Sequence, residues 1–162
     1  MPAARQPQTR TARSTARVEP ELTSPVDLCD ARGNLNPAAV GWSRHPLHNC
    51  NVSGHAPRKK RWNYWCLNTD KMLFSATIAD VDHFVLAFVY LFDFETRRLV
   101  ERTAILPPRA MELPPHVRAG AVFEQGGLRV AFTEEKRGTR IAVTWPDFDG
   151  AAQAAALLVE PA

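Results

Sequence analysis

The run from Phe84 to Phe94 (F-V-L-A-F-V-Y-L-F-D-F) is apolar on both faces that an extended chain presents. Phe84, Leu86, Phe88, Tyr90, Phe92 and Phe94 fall on one side, and Val85, Ala87, Val89 and Leu91 on the other. The run is shorter than the roughly 20 residues a membrane-spanning helix needs. Its aromatic and β-branched content makes it a central strand. One face then meets a core, and the other meets an irregular segment or a partner.

The neighbouring stretches share its two-residue period. Arg61–Leu67 alternates Trp62, Tyr64 and Cys66 with Asn63, Trp65 and Leu67. Met72–Ala79 sets Met72, Phe74, Ala76 and Ile78 against Ser75, Thr77 and Ala79. Leu99–Ile105 continues the meander, and the prolines between Pro107 and Pro115 make a stiff connection that a central strand excludes. Beyond it, Gly126-Gly127 suits a primed hairpin turn between Ala121–Gln125 and Leu128–Thr133. Thr139–Trp145 alternates again. The alanines of Ala151–Val159 allow a helix, but an eighth strand fits the meander better. The expected fold is all-β: a curved antiparallel meander or partial barrel. A long irregular segment, residues 18–57, precedes it; five prolines and three glycines leave that segment no regular period. With 162 residues the chain holds one domain, in which 18–57 packs on the β-domain of 58–162.

The net charge of +3 belongs to the leader. Residues 1–17 carry Arg5, Arg10, Arg13 and Arg17, no acid and no large apolar side chain, as a disordered basic leader does. Without those four arginines, 16 basic residues face 17 acidic ones. No extended basic surface follows, so nucleic acid is not an expected partner. Three unpaired cysteines (Cys29, Cys50, Cys66) and no signal-peptide core point to a reducing, cytoplasmic setting.

Asp80, Asp82 and His83 form the best candidate catalytic group, since a carboxylate beside an imidazole can move a proton to an alkene or from water. The plainer reading is a polar reversal, where Asp belongs on turn chemistry alone. Trp42, Arg44, His48 and Asn49, in the irregular segment, are candidate ligand contacts, because long anchored loops often carry function. The alternative is that they pin the loop backbone. Trp62, Tyr64 and Trp65 are candidate walls of an apolar pocket, together with Phe74, Phe84, Phe88, Phe92 and Trp145; aromatic strand faces are otherwise core. The basic run Arg58–Arg61 reads as a solvated strand entry. His48, Cys50 and His55 match no standard zinc spacing, so neither a metal nor another cofactor is expected.

Three stretches resemble the domain of unknown function family numbered 2804. They are S-P-V-D-L-C-D-A-R-G-N-L-N-P-A-A-V-G-W-S-R-H-P-L-H-N-C (Ser24–Cys50), K-K-R-W-N-Y-W-C (Lys59–Cys66) and F-S-A-T-I-A-D-V-D (Phe74–Asp82). The resemblance covers about residues 20–150 and is to the N-terminal half of that family. Members are typically about twice as long, which implies a chain truncated relative to the family. It also implies a missing C-terminal half or another subunit as partner. The family is distantly similar to a lipocalin-like group that contains carotenoid hydratases. The implied function is binding of an apolar or lipid-like small molecule, within a hydratase- or isomerase-like lipid enzyme. A non-catalytic structural or protein-interaction domain is the alternative.

Overall fold

The computed structural model describes residues 18–160 except Ser53 and Asp149. The basic leader, 1–17, lies outside the described residues. Among the described residues, eight long strands carry the fold, preceded by one short parallel pair, β1 (Val26–Asp27) with β2 (His48–Asn49). The long strands are β3 (Arg61–Asn68), β4 (Met72–Asp80), β5 (Val85–Asp93), β6 (Leu99–Leu106), β7 (Ala121–Gln125), β8 (Leu128–Glu135), β9 (Gly138–Phe148) and β10 (Ala151–Val159). They form two four-stranded antiparallel sheets, β3-β4-β5-β6 and β7-β8-β9-β10. The meander therefore divides at the Pro107–Pro115 connection, and neither sheet closes into a barrel. Proline has no N–H to give a ladder, so the chain leaves sheet one there and starts sheet two beyond it.

The two sheets pack face to face. Phe74, Ala76 and Ile78 of β4 and Val85, Ala87 and Val89 of β5 meet Val130 and Phe132 of β8 and Ile141 and Val143 of β9, all buried. Each fully buried Val, Ile or Phe side chain among them contributes roughly 1.5–3 kcal/mol relative to exposure. Trp65 packs on the same layer, its ring centroid 6.5 Å from that of Phe132. Leu113, in the proline-rich connection, is 2 % exposed and anchors the crossing.

The turns follow local chemistry. Gly126 and Gly127 both have positive φ (58° and 81°), as a primed hairpin requires. Thr69 Oγ1 accepts from the amides of Lys71 and Met72 between β3 and β4. Asp93 Oδ1 accepts from Thr96 N between β5 and β6, and this bond holds the Asp93 carboxyl below the usual range. Ala151–Val159 is a strand because β9 offers it a ladder, with a register shift between Ala151 and Gln153.

The irregular segment is pinned by polar side chains. Asp30 accepts from the amides of Arg32 and Asn34, and Gly33 at φ 80° completes the turn. The Asn34 amide is the main cause holding the Asp30 carboxyl below its usual range. Asn51 bridges both backbone groups of Cys29. Arg61 is the clasp between segment, sheet and connection. Its guanidinium donates to Leu113 O and, at 2.9 Å, to Val52 O.

Candidate functional site

The residues singled out by sequence occupy four places. The Asp80–Phe84 turn links β4 to β5. Asp80 Oδ1 accepts from Asp82 N at 3.0 Å. Asp82, at φ 67°, accepts from Lys59 N at 2.8 Å, and its other oxygen lies 3.5 Å from Lys59 Nζ. Both carboxylates thus engage backbone amides. His83 is exposed, with no hydrogen bond between its ring and either carboxylate among the described residues.

Trp42, Arg44, His48 and Asn49 lie in the irregular segment. The Arg44 guanidinium sits 5.3 Å from the Trp42 ring centroid, a cation–π distance, and donates to Glu21 at 3.0 Å. His48 Nε2 bonds Ala39 O at 2.8 Å, and Asn49 Nδ2 donates to Asp27 Oδ1 at 2.6 Å. His55 Nε2 bonds Gly33 O. No group of three His, Cys, Asp or Glu among the described residues is placed to hold a metal.

Strand alternation separates the aromatic candidates. Trp65, Phe74 and Trp145 face the interior. Arg44 and Trp65 share a recess of about 330 Å³ with Pro46, Val117 and Lys136. The Trp65 indole N–H is buried there without an acceptor. Trp62 and Tyr64 stand on the outer face of sheet one, which is the fourth place.

That outer face has a fixed grid. Trp62, Ala79, Leu86 and Ile105 align in one row across the four strands, and Tyr64, Thr77, Phe88 and Thr103 in the next. Cys66, Ser75, Tyr90 and Glu101 form the third row, and Asn68, Leu73, Phe92 and Leu99 the fourth. The aromatic side of β5 thus faces outward, and its smaller aliphatic side meets the core. The Tyr64 and Tyr90 hydroxyls come within 3.4 Å of each other across β4, so the rings roof the small side chains below. Ser75 and Thr77 are buried beneath these rings, on the outer side of the sheet. The Tyr64 hydroxyl is pushed up to about 12, first by hydrogen bonding with Cys66 and then by Tyr90.

A larger cleft opens between the sheets at the other end of β4. It measures about 580 Å³. Met72, Phe74, Leu91 and Val100 wall one side, and Trp145, Ala155 and Leu157 the other; Asp93, Thr96, Arg98 and Gln153 add polar groups. The lining is mostly apolar, with a few polar groups at one side. Phe74 and Trp145 were legible as pocket candidates. Leu91, Val100 and Leu157 were not, because strand alternation shows which face a residue takes and not which distant strand comes to meet it. The Asp80–His83 turn is eight residue steps from Met72, about 26 Å along the strand, so cleft and turn do not converge.

The architecture defines a two-sheet antiparallel β-domain with an end cleft and an open aromatic face. The family model described as Domain of unknown function (DUF2804) matches residues 19–161, and the chain belongs to that family. No curated protein and no solved structure matches it.

Proposed function

We propose that this domain binds an extended, apolar or lipid-like small molecule in the cleft between the sheet ends. The observation that carries the reading is the cleft itself, with apolar walls from both sheets and polar groups beside them. The apolar body lies between Phe74 and Leu157, and the polar end meets Asp93, Thr96, Arg98 or Gln153. A hydratase- or isomerase-like reaction at Asp80, Asp82 and His83 requires a substrate that reaches both ends of β4, so binding is proposed without a reaction. All three cysteines are free, which supports a reducing, cytoplasmic setting. No helix among the described residues is long and apolar enough to cross a membrane.

Calorimetric titration with dodecanol tests this reading. Binding at one site per chain is expected. Ala155→Phe fills the cleft and is expected to weaken binding at least tenfold, while Trp62→Ala on the outer face leaves it unchanged. Equal affinity in wild type and Ala155→Phe contradicts the assignment.

The interaction-domain reading has its own support in the composition of the outer face of sheet one.

A further inference from the structure

The two outer faces of this domain differ in kind. The outer face of sheet two carries four charged side chains, with Arg129 paired to Glu124 at 2.6 Å and Arg140 paired to Glu135, interspersed with Val122, Ala131, Ala142, Ala156 and Leu158. That is the ordinary solvated side of an antiparallel sheet. The sixteen-position grid of sheet one holds a single charged side chain, Glu101. Its protruding residues stand on the edge strands: Trp62 is 61 % and Tyr64 45 % exposed on β3, and Leu99 54 % and Ile105 56 % on β6. Exposed apolar side chains along both edges of a face this poor in charge mark an interaction site.

We infer that this face docks a second copy of the same chain, sheet on sheet, about a two-fold axis parallel to the strands and midway between β4 and β5. Such an axis lays β3 of one copy over β6 of the other, and an isologous contact repeats each pairing twice. The row register then sets what meets what. Trp62 lies over the partner's Ile105, ring on aliphatic branch. Tyr64 lies over the partner's Thr103, beside the partner's Glu101. The Tyr64 hydroxyl stays protonated at neutral pH, so the lone carboxylate of the face gains a donor from across the interface. The two prominent edges thus complement each other rather than collide.

The size is also adequate. Four strands spaced about 4.8 Å and four rows spaced about 6.8 Å give a flat footprint of roughly 500 Å². With the relief of the aromatic rings this is of the order of the about 800 Å² per partner that a standard stable interface buries. Two sheets stacked this way sit about 10 Å apart, the spacing of any β-sandwich.

Light scattering coupled to size exclusion, over a dilution series of the full chain, tests the inference. The expected mass is twice the 18.1 kDa of one chain. Trp62→Lys and Ile105→Glu are each expected to weaken dimerisation at least 100-fold. Circular dichroism and the thermal midpoint, measured on each monomeric variant, show whether it is folded. The axis makes one further demand. In a mixture of the two variants, Lys at position 62 of one copy meets Glu at position 105 of the other, and the second pairing stays native, so the heterodimer is restored. A wild-type monomer at every concentration overturns the proposal, including one that binds phosphatidylcholine vesicles instead. A dimer indifferent to both substitutions overturns it as well, and failure of the mixture to restore dimers overturns the axis.

Discussion

Arg61→Met removes one guanidinium and keeps most of the apolar stem. In the native fold that guanidinium donates to the carbonyls of Val52 and Leu113, tying the irregular segment and the proline-rich connection to the first residue of β3. Hydrogen bonds from a charged donor are worth about 1.5–3 kcal/mol each. Arg61 is only partly buried, so solvent replaces part of that loss. The expected net destabilisation is about 2–4 kcal/mol. With a urea slope near about 2 kcal/mol/M, the unfolding midpoint falls by about 1–2 M. Lys60, one residue earlier in the same basic run, is exposed. Lys60→Met is expected to change stability by less than about 0.5 kcal/mol. Equilibrium urea unfolding followed by tryptophan fluorescence compares the two. Equal midpoints for Arg61→Met and Lys60→Met refute the clasp.

Three further outcomes follow from the geometry. Gly127→Ala places a Cβ 2.7 Å from the Pro146 side chain at φ 81°, whereas Gly126→Ala meets no atom within 4 Å; the first is expected to lose more stability than the second in the same unfolding assay, with the second limited to the about 1–2 kcal/mol of left-handed backbone. Asp82→Ala frees Lys59 from both its backbone and side-chain contacts, and a loss of about 1–2 kcal/mol is expected in thermal unfolding; an unchanged midpoint removes Asp82 from the turn's support. Absorbance titration of the two tyrosines is expected to show one ionisation near 12, absent in Tyr64→Phe. A raised folded-state value means that the neutral hydroxyl favours the fold: its contribution is full below the ordinary tyrosine value of about 10 and is lost as pH climbs through about 12.

Most of the architecture was legible because strand chemistry is local. The alternation in Arg61–Leu67 and Met72–Ala79 placed Trp65, Phe74, Ala76 and Ile78 on the faces they occupy, and Gly126-Gly127 marked its turn. The two apolar sides of Phe84–Phe94 identified β5 as an interior strand with something to explain on its second face. Which side meets the core was not legible, since Val85, Ala87 and Val89 carry no stronger burial signal than Phe88 and Phe92. The division into two sheets was only foreshadowed by the prolines. Position in the fold gives two charged residues contacts that their types alone do not show. Arg61 belongs to a basic run by sequence and to a partly buried hydrogen-bond network by contact. Asp82 is a proton-transfer candidate by type and a tether for Lys59 by geometry. The cleft was least legible, because Met72, Val100, Trp145 and Leu157 meet there from four strands and two sheets. No local pattern records a meeting set by how the sheets pack.

The proposed binding places an apolar molecule in the cleft, and not on the outer face or at the Asp80–His83 turn. Methyl-resolved NMR during titration with dodecanol tests it most directly. Shifts confined to Met72, Leu91, Val100 and Leu157 are expected. Shifts confined to Leu86, Leu99 and Ile105, or none at saturating dodecanol, contradict it.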